Sequence, residues 1–165
     1  MSPKIIIISV VVFLAGVVGL AFAVTAGKKS QPATANFSVQ DQDRPQAETL
    51  QTSADLGEMK VSEVRQQDFN LKNAGTSPLQ IQNINSSCNC TFGQIIYQGT
   101  TSKEYGMHAQ SGFVTEVAPG DTATVRVIYR PSIMPVYGYV EREVYITTND
   151  PVNPRLVFSV KTTVK

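Results

Sequence analysis

The chain has no tryptophan, a single histidine and only two cysteines among its 165 residues. Each scarcity removes a class of fold or function. One histidine, His108, excludes a metal cage built from several imidazoles and leaves a Ser-His-Asp triad with one candidate base. Without tryptophan no indole can pack against an inter-sheet bridge, and cysteines at positions 88 and 90 cannot join two sheets. An antibody-type immunoglobulin domain is therefore excluded. Excess positive charge is also missing. From Thr49 to Lys165 ten Lys and Arg balance ten Asp and Glu, and the whole chain carries a formal +1. With no basic stripe to neutralise phosphates, nucleic acid is not expected as a partner. No Gly-rich phosphate loop, nucleophile elbow or metalloprotease helix occurs in the sequence. The acids are scattered, and Glu141 and Glu143 flank Arg142 as on a solvated edge. No catalytic residue is assigned, and the chain is not expected to be an enzyme.

What is present divides into three parts. Ile5 to Ala26 holds no charged residue over 22 positions. As a helix rising about 1.5 Å per residue it reaches roughly 33 Å, enough for a hydrocarbon core of about 30 Å. A cleaved signal peptide is the competing reading, with Lys4 as its basic flank and Ala21-Phe22-Ala23 as a small-residue cleavage site. Signal-peptide apolar runs are typically about 7–15 residues, and this one is longer. Residues 1–26 are therefore expected to be an uncleaved transmembrane helix. No cysteine follows it, so a lipidated-cysteine anchor is not expected. Lys28 and Lys29 oppose Lys4 and the α-amine, which leaves positive-inside counting near a tie. The short N-terminal tail and the export-like position of the run favour an extracytoplasmic C-terminal domain.

Residues 27–48 are rich in Gln, Ala, Ser, Asp and Pro and hold only Phe37 and Val39 as sizeable apolar side chains. Such a stretch buries too little surface to order itself and is read as a flexible tether. From Thr49 onward, period-two runs alternate with turn residues. Phe69 and Leu71 precede Asn73-Ala74-Gly75, and Leu79 and Ile81 follow it. After Pro119-Gly120-Asp121 come Ala123, Val125, Val127 and Tyr129 on one face. Val140, Val144 and Ile146 share a face that Arg142 interrupts. Beyond Asn149-Asp150-Pro151, Leu156, Phe158, Val160, Thr162 and Val164 form the last run. This spacing predicts an all-β antiparallel sandwich over 49–165, of about seven strands on the usual scale of such domains.

The run Phe69-Asn-Leu-Lys-Asn-Ala-Gly-Thr-Ser-Pro-Leu-Gln-Ile81, then Ser87-Cys-Asn-Cys-Thr91, Pro119-Gly120, Gly138 and Thr148-Asn-Asp-Pro151, occur in that order. Together they resemble the domain-of-unknown-function-1573 family over roughly Gln66 to Val164. The resemblance implies an immunoglobulin-like fold similar to Hydin/ASH modules, often exported or membrane-anchored in bacteria, and implies no defined activity. Where the family usually has Gly between the cysteines this chain has Asn89, which tolerates the left-handed conformation best among non-glycine residues. A sharp turn with positive φ is therefore expected there. The segment Thr91 to Ala118 is longer than the family norm and carries Met107 and His108 in a polar, Gly-rich loop.

The Cys88-Asn89-Cys90 pair leaves three readings open. Thiolate, thioether and imidazole ligands suit Cu(I), so Cys88, Cys90, Met107 and His108 are candidate metal ligands, with Met134 more distant. Side chains at i and i+2 of an extended segment share a face, which allows two sulfurs on one ion. Alternatively the pair forms a small-ring disulfide suited to redox exchange, or two free thiols pack as small apolar groups. Copper-delivery assembly factors of cytochrome oxidase are similar in architecture, joining one helix to a sandwich with a Cys-x-Cys; this is fold-level analogy. The expected function is a non-catalytic, membrane-anchored extracytoplasmic binding or assembly module that meets a protein partner at the membrane surface through edge strands or the Tyr137–Tyr139 loop. The alternative is a Cu(I) carrier.

Overall fold

Alternation of apolar and polar side chains puts every second residue into a shared core and the others into solvent. In the computed structural model, which describes residues 3–25 and 35–165, this produces ten strands. They are β1 (Ala47–Glu48), β2 (Ser53–Met59), β3 (Arg65–Asn73), β4 (Leu79–Ser86), β5 (Thr91–Tyr97), β6 (Thr100–Thr101), β7 (Phe113–Val117), β8 (Thr122–Tyr129), β9 (Gly138–Thr148) and β10 (Arg155–Val164). One sheet has the order β1-β3-β8-β5-β6 and the other β2-β10-β9-β4-β7. Their inner faces meet through Leu71, Val125, Val127 and Ile95 on one side and Ile81, Ile84, Val144, Ile146 and Phe158 on the other, all buried. Phe69 and Phe158 touch across the sandwich with ring centroids 5.3 Å apart. Sheet separation narrows at Gly93, where a Cβ would lie 2.6 Å from Val144 Cγ1 and 2.9 Å from Ile84 Cγ2.

The five strands read from the alternation, β3, β4, β8, β9 and β10, all form. Two expectations need correction. The sandwich is not wholly antiparallel, because β2 runs parallel to β10 with a register shift where Gly57 (φ +70°) interrupts it. The strand number also exceeds seven. The polar segment after Thr91 does not stay a loop. Gln98 and Gly99 both have positive φ, and Tyr97 pairs with Thr100, so the chain reverses in a two-residue type I′ hairpin.

The boundary at Thr49 also shifts. Part of the expected tether 27–48 lies within the described residues, from 35 onward, and its last stretch, 44–48, packs on the sandwich. Ala47 and Glu48 pair with Asn73 and Lys72, and Pro45 is buried. The backbone of residues 44–46 lies so close over Gly75 that a Cβ there would meet Arg44 O and Gln46 N within van der Waals distance. Buried Asp150 holds this segment by accepting from the Ala47 N–H at 2.9 Å and pairing with Arg44 at 3.3 Å. Asn73, fully buried, completes the lock. Its amide donates to Ser77 O and Val117 O, and its carbonyl accepts from the N–H groups of Gly75 and Gln46. Composition alone hides these contacts because they are made by single polar side chains, not by buried apolar area.

The N-terminal part is a separate unit from the sandwich. It forms one helix, α1 (Pro3–Thr25), of 23 residues. Its described side chains, at 3–4 and 10–20, are exposed. Among the described residues no helix is long and apolar enough to cross a membrane. Part of the expected span Ile5–Ala26 lies outside the described residues, its side chains at 5–9 and from 21 onward among them.

Candidate functional site

β4 ends at Ser86 and β5 begins at Thr91, so the cysteines occupy the turn that carries the chain from one sheet to the other. The Thr91 N–H donates to Cys88 O at 3.2 Å, closing a four-residue turn. Neither Asn89 nor Cys90 has positive φ. This is the type I pattern, which any L-residue adopts. The expected left-handed Asn89 is thus corrected: the turn needs no glycine, and Asn there costs no backbone strain. The turn brings the two Cα atoms to 5.3 Å, and Cys88 and Cys90 form a disulfide. An extended segment would separate those atoms by roughly 6.6 Å.

The turn is held by its surroundings as well as by the bridge. The Ser86 hydroxyl lies 2.9 Å from Cys88 O and 2.6 Å from Thr91 O. Ser87 N–H donates to Glu143 O, and the Ser87 hydroxyl accepts from the Glu143 N–H. Arg130 N–H donates to Cys90 O at 2.8 Å. A disulfide closing a three-residue loop restricts the unfolded chain by only about 1.6 kcal/mol, against about 3 for a 15-residue loop. The bridge is therefore a weak staple on a turn already pinned to β8 and β9.

The two sulfurs are unequal. Cys90 is fully buried in the core cluster, whereas Cys88 is half-buried and packs at its margin. Cys88 Sγ lies 3.2 Å from the Cys90 N–H nitrogen and 3.3 Å from Thr91 Oγ1. Thr91 is itself fully buried. Tyr129 stands opposite Thr91 in the β5–β8 register. From β9, Arg142 points inward in phase with Val140 and Val144 and lays its guanidinium 5.8 Å from the Tyr129 ring centroid. Tyr129 Oη and Arg142 Nε are buried without a hydrogen-bond partner among the described residues.

Outside the turn, Arg130 stacks over Phe92 at 4.9 Å and forks onto both carboxylate oxygens of Glu104. The hydrogen bonds from Arg130 hold the Glu104 carboxyl below the usual glutamate range, and the same bonds push the guanidinium up. Tyr105 is buried where it bridges Gly93, and burial raises its phenol. Gly106 then lies flat on Phe92, where a Cβ would stand 3.2 Å from the ring.

Met107 and His108 are the central residues of the next turn, closed by the Ala109 N–H on Gly106 O, and both are exposed. The four expected ligands therefore divide. Cys88 and Cys90 meet each other, with their sulfurs bonded and not available as thiolates. Among the described residues no group of three His, Cys, Asp or Glu side chains is gathered as for a metal, so His108 does not join them. As the central residues of a tight turn, both face outward. The residues missed from sequence are Thr91, Tyr129 and Arg142. For Arg142 a signal exists, a lone charge on the apolar phase of β9.

The disulfide end of the sandwich also carries exposed apolar side chains. After β8 the chain makes a short 3₁₀ turn (Pro131–Ile133) and enters β9. Ile133, Met134, Val136, Tyr137 and Tyr139 are 43–67 % exposed there, with Val64 before β3 at the same end 57 % exposed.

No curated protein sequence matches the chain. Among solved structures it is similar to a protein of unknown function from Porphyromonas gingivalis W83, at 19 % identity and a TM-score of 0.59 over 78 % of this chain and 51 % of that one. The chain thus spans about half the length of that protein. It is also similar to an ASH/PapD-like domain (PapD-like domain 7) of human CEP192, at 11 % identity and a TM-score of 0.50 over 84 % of this chain and 98 % of that one. Both likenesses concern the fold, an immunoglobulin-like sandwich. Residues 47–106, which run from β1 through the Cys-x-Cys turn to the Gly106 that lies on Phe92, match the family described as Protein of unknown function (DUF1573), and the resemblance read from the sequence stands on that match.

Proposed function

We propose that the chain is a non-catalytic binding or assembly module, anchored by α1, whose sandwich meets a protein partner outside the cytoplasm. The observation that carries the proposal is the apolar lip at the disulfide end. Five large apolar side chains between residues 133 and 139 are at least 43 % exposed, and two of them are tyrosines. Single exposed apolar residues are ordinary, but a contiguous group marks an interaction surface, and tyrosine is favoured at interfaces. The fold supports this reading only in so far as a sandwich presents such a lip on a rigid frame. A photo-crosslinking residue placed at Tyr137 of the full chain in its native membranes is expected to capture a discrete protein. The same residue at Val152, which is apolar and 50 % exposed in the β9–β10 turn, is the control. Capture lost on Ile133→Ser with Met134→Ser supports the lip. Equal capture from both positions, or none from Tyr137, overturns it.

The Cu(I)-carrier reading keeps one supporting observation, the 5.3 Å Cα separation that lets the reduced sulfurs close on one soft ion. Anaerobic copper analysis of the reduced full chain against Cys88→Ser/Cys90→Ser decides it. Stoichiometric Cu(I) that is lost in the double variant supports a carrier, and copper at the variant's background removes it.

A further inference from the structure

We propose that Cys88–Cys90 is a thiol–disulfide exchange site that oxidises a dithiol of a polypeptide held against the same end of the sandwich. How the polypeptide is held rests on the apolar lip; the exchange itself does not.

Three observations converge. First, the bridge is dispensable as a staple. It spans one residue, and Ser86, Ser87 and Arg130 already pin its turn through hydrogen bonds to the backbone. Secondly, the pair is asymmetric in the way exchange needs. Half-buried Cys88 can be reached, while Cys90 is enclosed. Thirdly, Cys88 Sγ is provided with donors. The Cys90 N–H and the buried Thr91 hydroxyl lie 3.2 and 3.3 Å away, and the same hydroxyl lies 3.9 Å from Cys90 Sγ. Hydrogen bonds to a sulfur favour its thiolate, as does a nearby cation. A cation at this end is Arg142, whose guanidinium lies 5.8 Å from the ring of Tyr129, the residue opposite Thr91.

The chemistry balances without another reagent. A thiolate of the client dithiol attacks Cys88 Sγ; the Cys88–Cys90 bond breaks and a client–Cys88 bond forms. Cys90 leaves as a thiolate and takes up a proton. The second client thiolate then attacks the client sulfur of the mixed disulfide and expels Cys88 as a thiolate, on which the Cys90 N–H and the Thr91 hydroxyl converge. The client loses two electrons and two protons and becomes a disulfide, and the cysteines gain the two electrons, with the protons passing to Cys90 and to Cys88 or solvent. Each molecule does this once per oxidation, so the step adds a redox activity to a binding module without requiring turnover.

The test uses the full chain in detergent with two probes, dithiothreitol and a synthetic disulfide peptide with Phe and Leu flanks. Dithiothreitol is expected to open the bridge in the folded protein, leaving Cys88 as the thiol that alkylates first. Folded Cys90→Ser is expected to accumulate a one-to-one mixed disulfide with the peptide, whereas reduced wild type resolves it. Cys88→Ser is expected to trap the peptide at least tenfold more slowly. A bridge that resists dithiothreitol until the protein unfolds, or a folded Cys90→Ser that forms no mixed disulfide, overturns the proposal. A Tyr137→Ser variant separates the two readings. If the lip holds the client, that variant slows the peptide reaction and leaves the dithiothreitol reaction unchanged; if both are unchanged, the lip fails and the exchange stands.

Discussion

Gly93 fixes how closely the two sheets approach beside the Cys-x-Cys turn. It sits on β5 facing Val144 and Ile84, and an added Cβ would be 2.6 and 2.9 Å from their methyl groups. Contacts that short force side chains off their rotamers or push the sheets apart, at about 1–3 kcal/mol. Gly93→Ala is therefore expected to lower the unfolding free energy by that amount, read as a fall in the urea midpoint at unchanged slope, and Val144→Ala in the same chain should recover part of the loss. An additive double variant would show that the contact is not what matters. At this scale little of the site was legible in the sequence. The cysteines announced themselves by their spacing, but Thr91 and Tyr129 are buried residues that a strand pattern assigns to the core. Their role comes from register, which sets Thr91 opposite Tyr129 and beside both sulfurs.

Elements were more legible, for a definable reason. β3, β8 and β10 each bury alternate residues, so period-two hydrophobicity is their imprint. β2 lacks that imprint because it is a partly exposed edge strand interrupted at Gly57. The β5–β6 hairpin escaped because its turn is Gln98-Gly99, not the Asn-Gly or Asp-Gly that ordinarily signals type I′. Beyond that hairpin, residues 102–106 cover the outer edge of β5. Ser102 N–H donates to Ile95 O, and Tyr105 exchanges both backbone bonds with Gly93. The Glu104–Arg130 fork fastens this strap, and Arg130 in turn reaches the Cys90 carbonyl. Arg130 lowers the Glu104 carboxyl, so the fork's contribution is whole above the usual glutamate value of about 4.3 and is lost as pH falls through the lowered folded value. Both side chains are about a third exposed, so solvent screens the effect. Hydrogen exchange at the Gly93 and Tyr105 amides should accelerate, beyond the intrinsic trend, as pH falls below about 4 in wild type but not in Glu104→Gln. Identical profiles in the two proteins would leave the strap held by its backbone bonds alone.

At the scale of the whole molecule, the proposed anchor and the disulfide make one joint demand. Disulfides persist in oxidising compartments and are rare in the cytosol. The proposed placement of the C-terminal domain outside the cytoplasm would supply that setting, and an exchange site would need it to stay oxidised. The described side chains of α1 at 10–20 include Val11, Val12, Phe13, Leu14 and Leu20, each at least 55 % exposed. So many apolar side chains facing outward need a covering medium, and lipid is the medium this proposal assigns. Expressed in a bacterial host, the full chain should resist carbonate extraction from membranes, while a chain beginning at Ala35 should be extracted. Protease added to spheroplasts should remove the sandwich, and thiol labelling before cell lysis should find Cys88 and Cys90 blocked. Reversing the orientation, by adding Lys residues after Gly27 and replacing Lys4, should protect the sandwich from protease and leave both thiols open to label. A reversed chain with its cysteines still bridged would mean that the turn alone holds the sulfurs together, whatever compartment surrounds it.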